Sequence, residues 1–362
     1  MIAANAAVQR PADARLLVVD ALGSTREIPR RDFASLLHRG DLVVANDAAT
    51  LPASLSGRHA GTGAPIEVRL AAARSLNLGD EPRFAAIVFG AGDYRTRTED
   101  RTLPPPLAVG DVLALGPVHA TVERLLDHPR LVELRLAGTH DEVWSAIAHH
   151  GRPIQYAYLP APLATWDTWT PIAAAPLAFE APSAGFTLDW RSLGELRRRG
   201  AGFATVTLAA GISSTGDPAL DARLPFDEPY RIPAATAASI RRARRDGGRV
   251  IAIGTTVVRA LESAAARDAS VHAGAGIATL RLGASTPLQV VDAILSGTHE
   301  PGTSHFELLR AVAGDAALGR MSEALEIGRF RTHEFGDSIF IEKSRDAFPV
   351  TVPSHRSLRG LV

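Results

Sequence analysis

Between Gly247 and Ser263 the chain reads GGRVIAIGTTVVRALES. A glycine pair that stops one helix precedes a short apolar run, which feeds Gly254-Thr255-Thr256 and then a second helix. Gly254 permits a tight backbone and a threonine hydroxyl suits an N-cap. The new helix start offers free N–H groups and the positive end of its dipole. Such a turn can seat a carboxylate, a ribose hydroxyl or a phosphate. An ordinary capped helix has the same letters, so this segment alone does not choose.

Two further segments permit close approach of a ligand. Glu180 to Phe186 (EAPSAGF) places Ser183 and Gly185 among small residues, a composition that equally serves close packing. Ala209 to Asp217 (AAGISSTGD) is a hydroxyl-rich glycine turn at the end of an expected strand, where α/β sheets bind ligands. It lacks GxxxxGK[ST], and with no lysine nearby a P-loop is excluded. The histidines form neither HExxH nor HxH, so no metal site is expected. His299, in the polar loop Ser296 to Pro301, is the imidazole best placed to move a proton near neutral pH. Arg241, Arg244 and Arg245 share one face of an expected helix. Arg197 to Arg199 end another, and both groups read as solvated outer faces rather than RNA contacts.

The elements that must position these groups alternate in texture. Leu16 to Val19 and Leu42 to Ala45 are unalternating apolar runs, as in strands buried on both faces. A short helix is expected over 31–38. From Leu51 to about Gly138, short β-prone segments at 65–70, 84–89, 112–115, 118–126 and 131–136 point to a small antiparallel barrel or sandwich. Helices follow over 188–199, 233–246, 257–267, 304–314 and 318–328, with strands at 203–208, 249–253 and 338–342. Residues 152–181, rich in Pro, Ala, Tyr and Trp, read as a long ordered loop. The expectation is a discontinuous α/β sandwich domain, residues 1–50 and 142–362, with an inserted small β-barrel domain over 51–141.

Composition removes whole classes. The 362 residues contain no cysteine, which excludes disulfides, thiolate zinc sites, iron–sulfur clusters and a thiol nucleophile. Lys+Arg 39 balances Asp+Glu 39, and Lys343 is the only lysine, so the chain is not a strongly basic nucleic-acid binder overall. No apolar run is long enough for a membrane span and the start lacks a secretory signal, so a cytoplasmic protein is expected.

In order along the chain stand RLLVVD at 15–20, GDLVVANDAATLPASLSG at 40–57, APSAGF at 181–186, YRIP at 230–233, GGRVIAIGTTVVRALES at 247–263, VVDAILSGTHEP at 290–301 and FGDSIFI at 335–341. With these the chain resembles the S-adenosylmethionine:tRNA ribosyltransferase-isomerase family of queuosine biosynthesis. The resemblance implies a two-domain α/β and β-barrel fold and S-adenosylmethionine as co-substrate, with no prosthetic group and no metal. It further implies transfer of the ribosyl moiety to a 7-aminomethyl-7-deazaguanine in tRNA, with release of adenine and methionine. The sulfonium would acidify the 5′ carbon for a base. Several motif positions depart from the family pattern. Thr187, Ala209 and Phe226 stand where it carries histidines, and Ala48-Ala49 where NDTR continues. Two alternatives follow: cleavage or rearrangement of S-adenosylmethionine or another nucleoside without RNA, or a non-catalytic nucleoside-binding module. The retained framework implies Glu228, His299 and Asp337 as catalytic candidates. Asn46, Asp47, Ser183, Gly185, Gly254, Thr255, Thr256 and Arg259 are the substrate-binding candidates, and Glu262 belongs to the same framework.

Overall fold

The computed structural model describes residues 1–77 and 79–344. The end of the second α/β segment expected from the sequence, 345–362, lies outside the described residues.

A nine-stranded mixed sheet organises the chain. Its order is Gly274–Ala278, Glu228–Ile232, Gly202–Leu208, Leu42–Asn46, Val250–Ile253, Ala293–Gly297, Ser338–Glu342, Arg15–Val19 and Thr25–Pro29. The four strands from Gly202–Leu208 to Ala293–Gly297 run parallel, and their neighbours on both sides, Glu228–Ile232 and Ser338–Glu342, run against them. Leu42 to Ala45 and Val250 to Ile253 are buried throughout, as their unbroken apolar runs require of strands covered on both faces. Helices Ala234–Arg245 and Thr255–Ala265 pack on one face. The Arg30–Leu36 turn and helix Trp190–Arg198 cover the other, around Phe33, Leu188, Leu196 and Phe340.

Six strands, Ser54–His59, Pro65–Ala73, Arg83–Phe89, Val112–Leu115, Val118–His128 and Leu131–Leu136, close into an antiparallel barrel. The mixed α/β fold with a small barrel is therefore as the sequence texture indicates. One continuous apolar cluster joins the two parts, from Leu55, Val68 and Val122 in the barrel to Val44, Val250 and Leu261 in the sheet and its helix. Glu67, on the strand face opposite Val68, is buried between Arg69 and Arg101, whose charges hold its carboxylate low although burial opposes this. That buried ionic cluster explains the charged residues that interrupt the strand pattern there.

Some elements differ from the sequence expectation. The segment over 31–38 is a 3-10 turn, Arg30–Leu36, rather than an α-helix. The helix expected over 304–314 ends at Leu309. Helix His140–His150, opened by a Thr139–Glu142 capping box, was not anticipated, nor were strands Glu228–Ile232, Gly274–Ala278 and Ala293–Gly297. These strands are five residues each and are broken by Pro229, Gly276 and Ser296, so they carry no clear periodic signature.

Candidate active site at the carboxyl edge of the parallel strands

The four parallel strands all leave the sheet at one edge, and the antiparallel neighbours bring Glu228 and Asp337 to the same edge. In α/β sheets this edge is where ligands bind.

Strand Val250–Ile253 ends at Gly254, whose φ of 94° a side chain would strain, and helix Thr255–Ala265 begins at the next residue. A Cβ at Gly254 would stand 3.4 Å from the Ala184 Cβ, so the Ser183–Thr187 turn is packed directly against it. The sequence reading gave Thr255 or Thr256 the capping role. Instead Gly254 is the N-cap, and no side chain accepts from the first turn. The helix start is left electropositive and unoccupied by its own residues. Thr255 and Thr256 line a cavity of about 270 Å³ together with Glu228, Arg259, His305 and Leu308.

Arg259, one turn into that helix, is buried and donates to Glu228. It also donates to the carbonyls of Ala278 at 2.8 Å, Phe226 at 3.1 Å and Leu280 at 3.3 Å. Four of its five N–H directions are thereby occupied. Glu228 accepts from the Gly211 amide at 2.7 Å on its other oxygen. Burial pushes the Glu228 carboxyl up, and the Arg259 charge and the Gly211 hydrogen bond only partly offset it.

His305, absent from the candidates read from the sequence, reaches the same cavity. Its ring centroid lies 4.8 Å from that of His299, whose Nε2 is 2.8 Å from the Ser296 Oγ. Burial, with the Arg259 charge adding, pushes the His305 imidazole down to about 4. Burial, His305 and His333 hold His299 well below its ordinary value. Both imidazoles are neutral at pH 7.

A second acidic group on this edge was likewise missed. Glu180 accepts from the Ser213 amide at 3.1 Å and from the Tyr156 hydroxyl. Burial lifts its carboxyl to about 7 against those hydrogen bonds, and Glu334 adds to the rise. Tyr158 donates to Glu334 and stacks on His333 with centroids 4.0 Å apart and planes 9° from parallel. These residues come from four separate positions along the chain, 156–158, 180, 213 and 333–334, and no local spacing announces them.

The other expected residues are placed as follows. Asn46 exchanges hydrogen bonds with the backbone of Leu208, at 2.9 and 3.0 Å, extending the strand pairing with its side chain. Asp47 accepts from the Thr207 hydroxyl at 2.7 Å. Ser183 is half-buried, and a Cβ on Gly185 would come within 2.9 Å of the Thr170 side chain, so packing explains that glycine. Glu262 accepts from the amides of Gln289, Val290 and Val291 and anchors the approach to strand Ala293–Gly297. Asp337 is outside the lining of the 270 Å³ cavity. Its two oxygens take the backbone amides and guanidinium groups of Arg15 and Arg331, at 2.8 to 3.2 Å. Although burial opposes it, those donors hold Asp337 below its ordinary value, so it stays ionised. A carboxylate so filled clamps strands more readily than it moves protons.

A second cavity, of about 660 Å³, lies between the barrel and this edge. It is lined by Arg74, Arg83 and Glu133 from the barrel and by Phe226, Asp227 and Arg281 from the sheet side. Ala222, Pro225 and Arg281 border both cavities.

A profile of the family described as queuosine biosynthesis protein matches residues 1–341. An S-adenosylmethionine:tRNA ribosyltransferase-isomerase from Sorangium cellulosum is 36% identical over 91% of this chain and 92% of its own. A protein of the same name from Geobacter sulfurreducens is 33% identical over 94% and 96%. The crystal structure of an S-adenosylmethionine tRNA ribosyltransferase from Thermotoga maritima covers 94% of this chain and 96% of its own, at 22% identity and a TM-score of 0.49. With nearly its whole length matched by the profile and by relatives above 30% identity, this chain belongs to the queuosine biosynthesis protein family.

Proposed function

We propose that this protein transfers and isomerises the ribosyl moiety of S-adenosylmethionine onto a 7-aminomethyl-7-deazaguanine of tRNA, acting in the cytoplasm. Adenine, methionine and one proton leave as the aminomethyl nitrogen gains the rearranged sugar. The observation that carries this reading is the pair of adjoining cavities that share Ala222, Pro225 and Arg281. A reaction between two substrates needs two such spaces with a common boundary.

In this reading S-adenosylmethionine occupies the smaller cavity, its methionine carboxylate against the uncapped start of helix Thr255–Ala265. The Thr255 and Thr256 hydroxyls are available for ribose or carboxylate oxygens. Glu228 retains one lone pair on each oxygen beyond its bonds to Arg259 and Gly211, and it faces the cavity. We assign it the removal of the proton from the 5′ carbon, which the sulfonium acidifies. A carboxyl raised by burial is a stronger base than one in water. His305 and His299, both neutral, can carry the proton onward by hydrogen bonding. Asp337 and Glu262 hold the strands that present these groups, and Asn46 fixes the parallel pair beside them. The acceptor base enters the larger cavity, walled on one side by the barrel, which we take as a module spanning residues 51–141.

Incubating the protein with S-adenosylmethionine, with and without tRNA carrying the precursor base, tests the reading by mass spectrometry. Adenine and methionine should appear only with that tRNA. Release without RNA would point instead to a nucleoside-cleaving enzyme, and binding without any turnover to a binding module.

A further inference from the structure

Beyond strand Arg15–Val19, on the same sheet edge, lies a cavity of about 240 Å³. Arg10, Arg30, Arg31 and Arg191 line it, with Thr187 and Asp189. Arg30 follows strand Thr25–Pro29 directly and is only 5% exposed. It donates to the carbonyls of Gly336 at 2.9 Å and Gln9 at 2.6 Å; no carboxylate of the described residues reaches it within salt-bridge distance, and Asp337 acts on it only through space. Among the described residues none of the four arginines forms a salt bridge. Asp189 is the one acid in the lining, and it is spent on the Ser192 amide at 2.6 Å, capping helix Trp190–Arg198. Thr187 is 8% exposed, and its buried hydroxyl has no hydrogen-bond partner. Four unpaired cations around an orphaned hydroxyl form a receptor for a tetrahedral oxyanion.

The surroundings narrow the class of that anion. Trp190, 85% exposed, sits between Asp189 and Arg191. Gln9, next to Arg10, donates to the carbonyls of Asp167 and Trp169, both at 2.8 Å. That contact fixes the loop carrying Trp166, 75% exposed, beside the arginines. Exposed indoles next to arginines are stacking surfaces for unpaired bases, and a free phosphate has no use for them. The other arginine group, Arg241 to Arg245, ends the helix that leads into the start of strand Val250–Ile253. It therefore lies at the opposite edge, away from the candidate active site.

We propose that this cavity binds a backbone phosphate of the RNA acceptor, with Trp190 and Trp166 stacking on unpaired bases that flank it. The proposal rests on the tRNA reading above. It also explains how a chain of zero formal net charge can hold RNA: the positive charge is gathered locally.

Fluorescence anisotropy of a labelled anticodon stem-loop RNA, measured against salt concentration, tests it. The proteins compared are wild type, the double variant Arg31→Ala/Arg191→Ala, and Trp190→Ala. All three side chains are exposed, so the variants should fold. Calorimetry with S-adenosylmethionine is run in parallel. The double variant should bind RNA about tenfold more weakly, with a log–log salt slope shallower by about 0.7 for the one phosphate lost. Trp190→Ala should weaken RNA binding about tenfold, and S-adenosylmethionine affinity should be unchanged. If the wild type binds RNA and the variants match it, this cavity is not the RNA site and the tRNA reading survives. If the wild type binds no RNA, both fall. Inorganic phosphate that quenches wild-type tryptophan fluorescence without being displaced by RNA would identify a free-phosphate site and overturn the proposal.

Discussion

Glu180 and Glu228 are held by alternate amides of one loop: Ser213 donates to Glu180 at 3.1 Å and Gly211 to Glu228 at 2.7 Å. Between them the Ile212 amide donates to Ala71 in the barrel at 3.3 Å. Two buried carboxyls and the barrel are thus tied to three successive residues, whose sequence gives little sign of it.

Gly211 is the point at which this arrangement tolerates no side chain. An added Cβ would meet the Ala71 carbonyl oxygen at 2.8 Å and a Glu228 oxygen at 3.5 Å. Gly211→Ala should cost about 1–3 kcal/mol of stability by overpacking. Adenine release should fall at least tenfold, by about 1.4 kcal/mol of barrier. Wild-type activity in the alanine variant would show that the loop does not position Glu228.

Glu228 and Arg259 test each other. Arg259→Met strands a buried carboxylate and should destabilise by about 3–5 kcal/mol, whereas Arg259→Met with Glu228→Gln should recover part of that loss. Urea unfolding of the two variants measures the difference. Equal stabilities would mean that the pair is not coupled. The double variant should remain inactive, because it lacks the carboxylate proposed as the base.

Glu180 should leave a signature in stability against pH. Its folded-state value, about 7, is raised above the unfolded one. Between roughly pH 4.3 and 7 the folded state therefore binds a proton that the unfolded state does not, and stability falls as pH rises. The contribution over that window is about 3–4 kcal/mol. Glu180→Gln should flatten the slope in denaturant titrations across it. An unchanged slope would show that Glu180 is not the group responsible.

Asp337 separates clamping from catalysis. Asp337→Asn keeps the shape but removes the charge that four N–H donors from Arg15 and Arg331 converge on. Charge-assisted bonds of this kind make a loss of about 2–3 kcal/mol the expected result, with KM for S-adenosylmethionine little altered. The lowered value of Asp337 means that its contribution disappears only as the pH falls into the acid range. A variant of full stability that has lost kcat would restore Asp337 to the chemistry.

Local chemistry was readable where a segment's own neighbours decide its structure. The apolar runs at Leu16 to Val19 and Leu42 to Ala45 read as strands covered on both faces, and they are. The Gly254 turn needs a backbone that glycine adopts freely, so strand, turn and helix followed from the letters alone. The capping role assigned to Thr255 or Thr256 failed because a cap depends on where one dihedral places an oxygen, and composition does not carry that.

The ordered run of motifs from Arg15 to Ile341 by itself determined the family and, through its periodicities, the α/β and barrel architecture. Only the tertiary structure decided which polar groups meet. It brought His305 into one cavity with Glu228, paired Glu180 with Tyr156, and withdrew Asp337 into a clamp. It also gathered Arg10, Arg30, Arg31 and Arg191, dispersed along the chain, around one cavity. The reason is physical: a strand or helix is set by contacts a few residues apart, whereas desolvation and charge pairing are set by whatever segments the fold packs together.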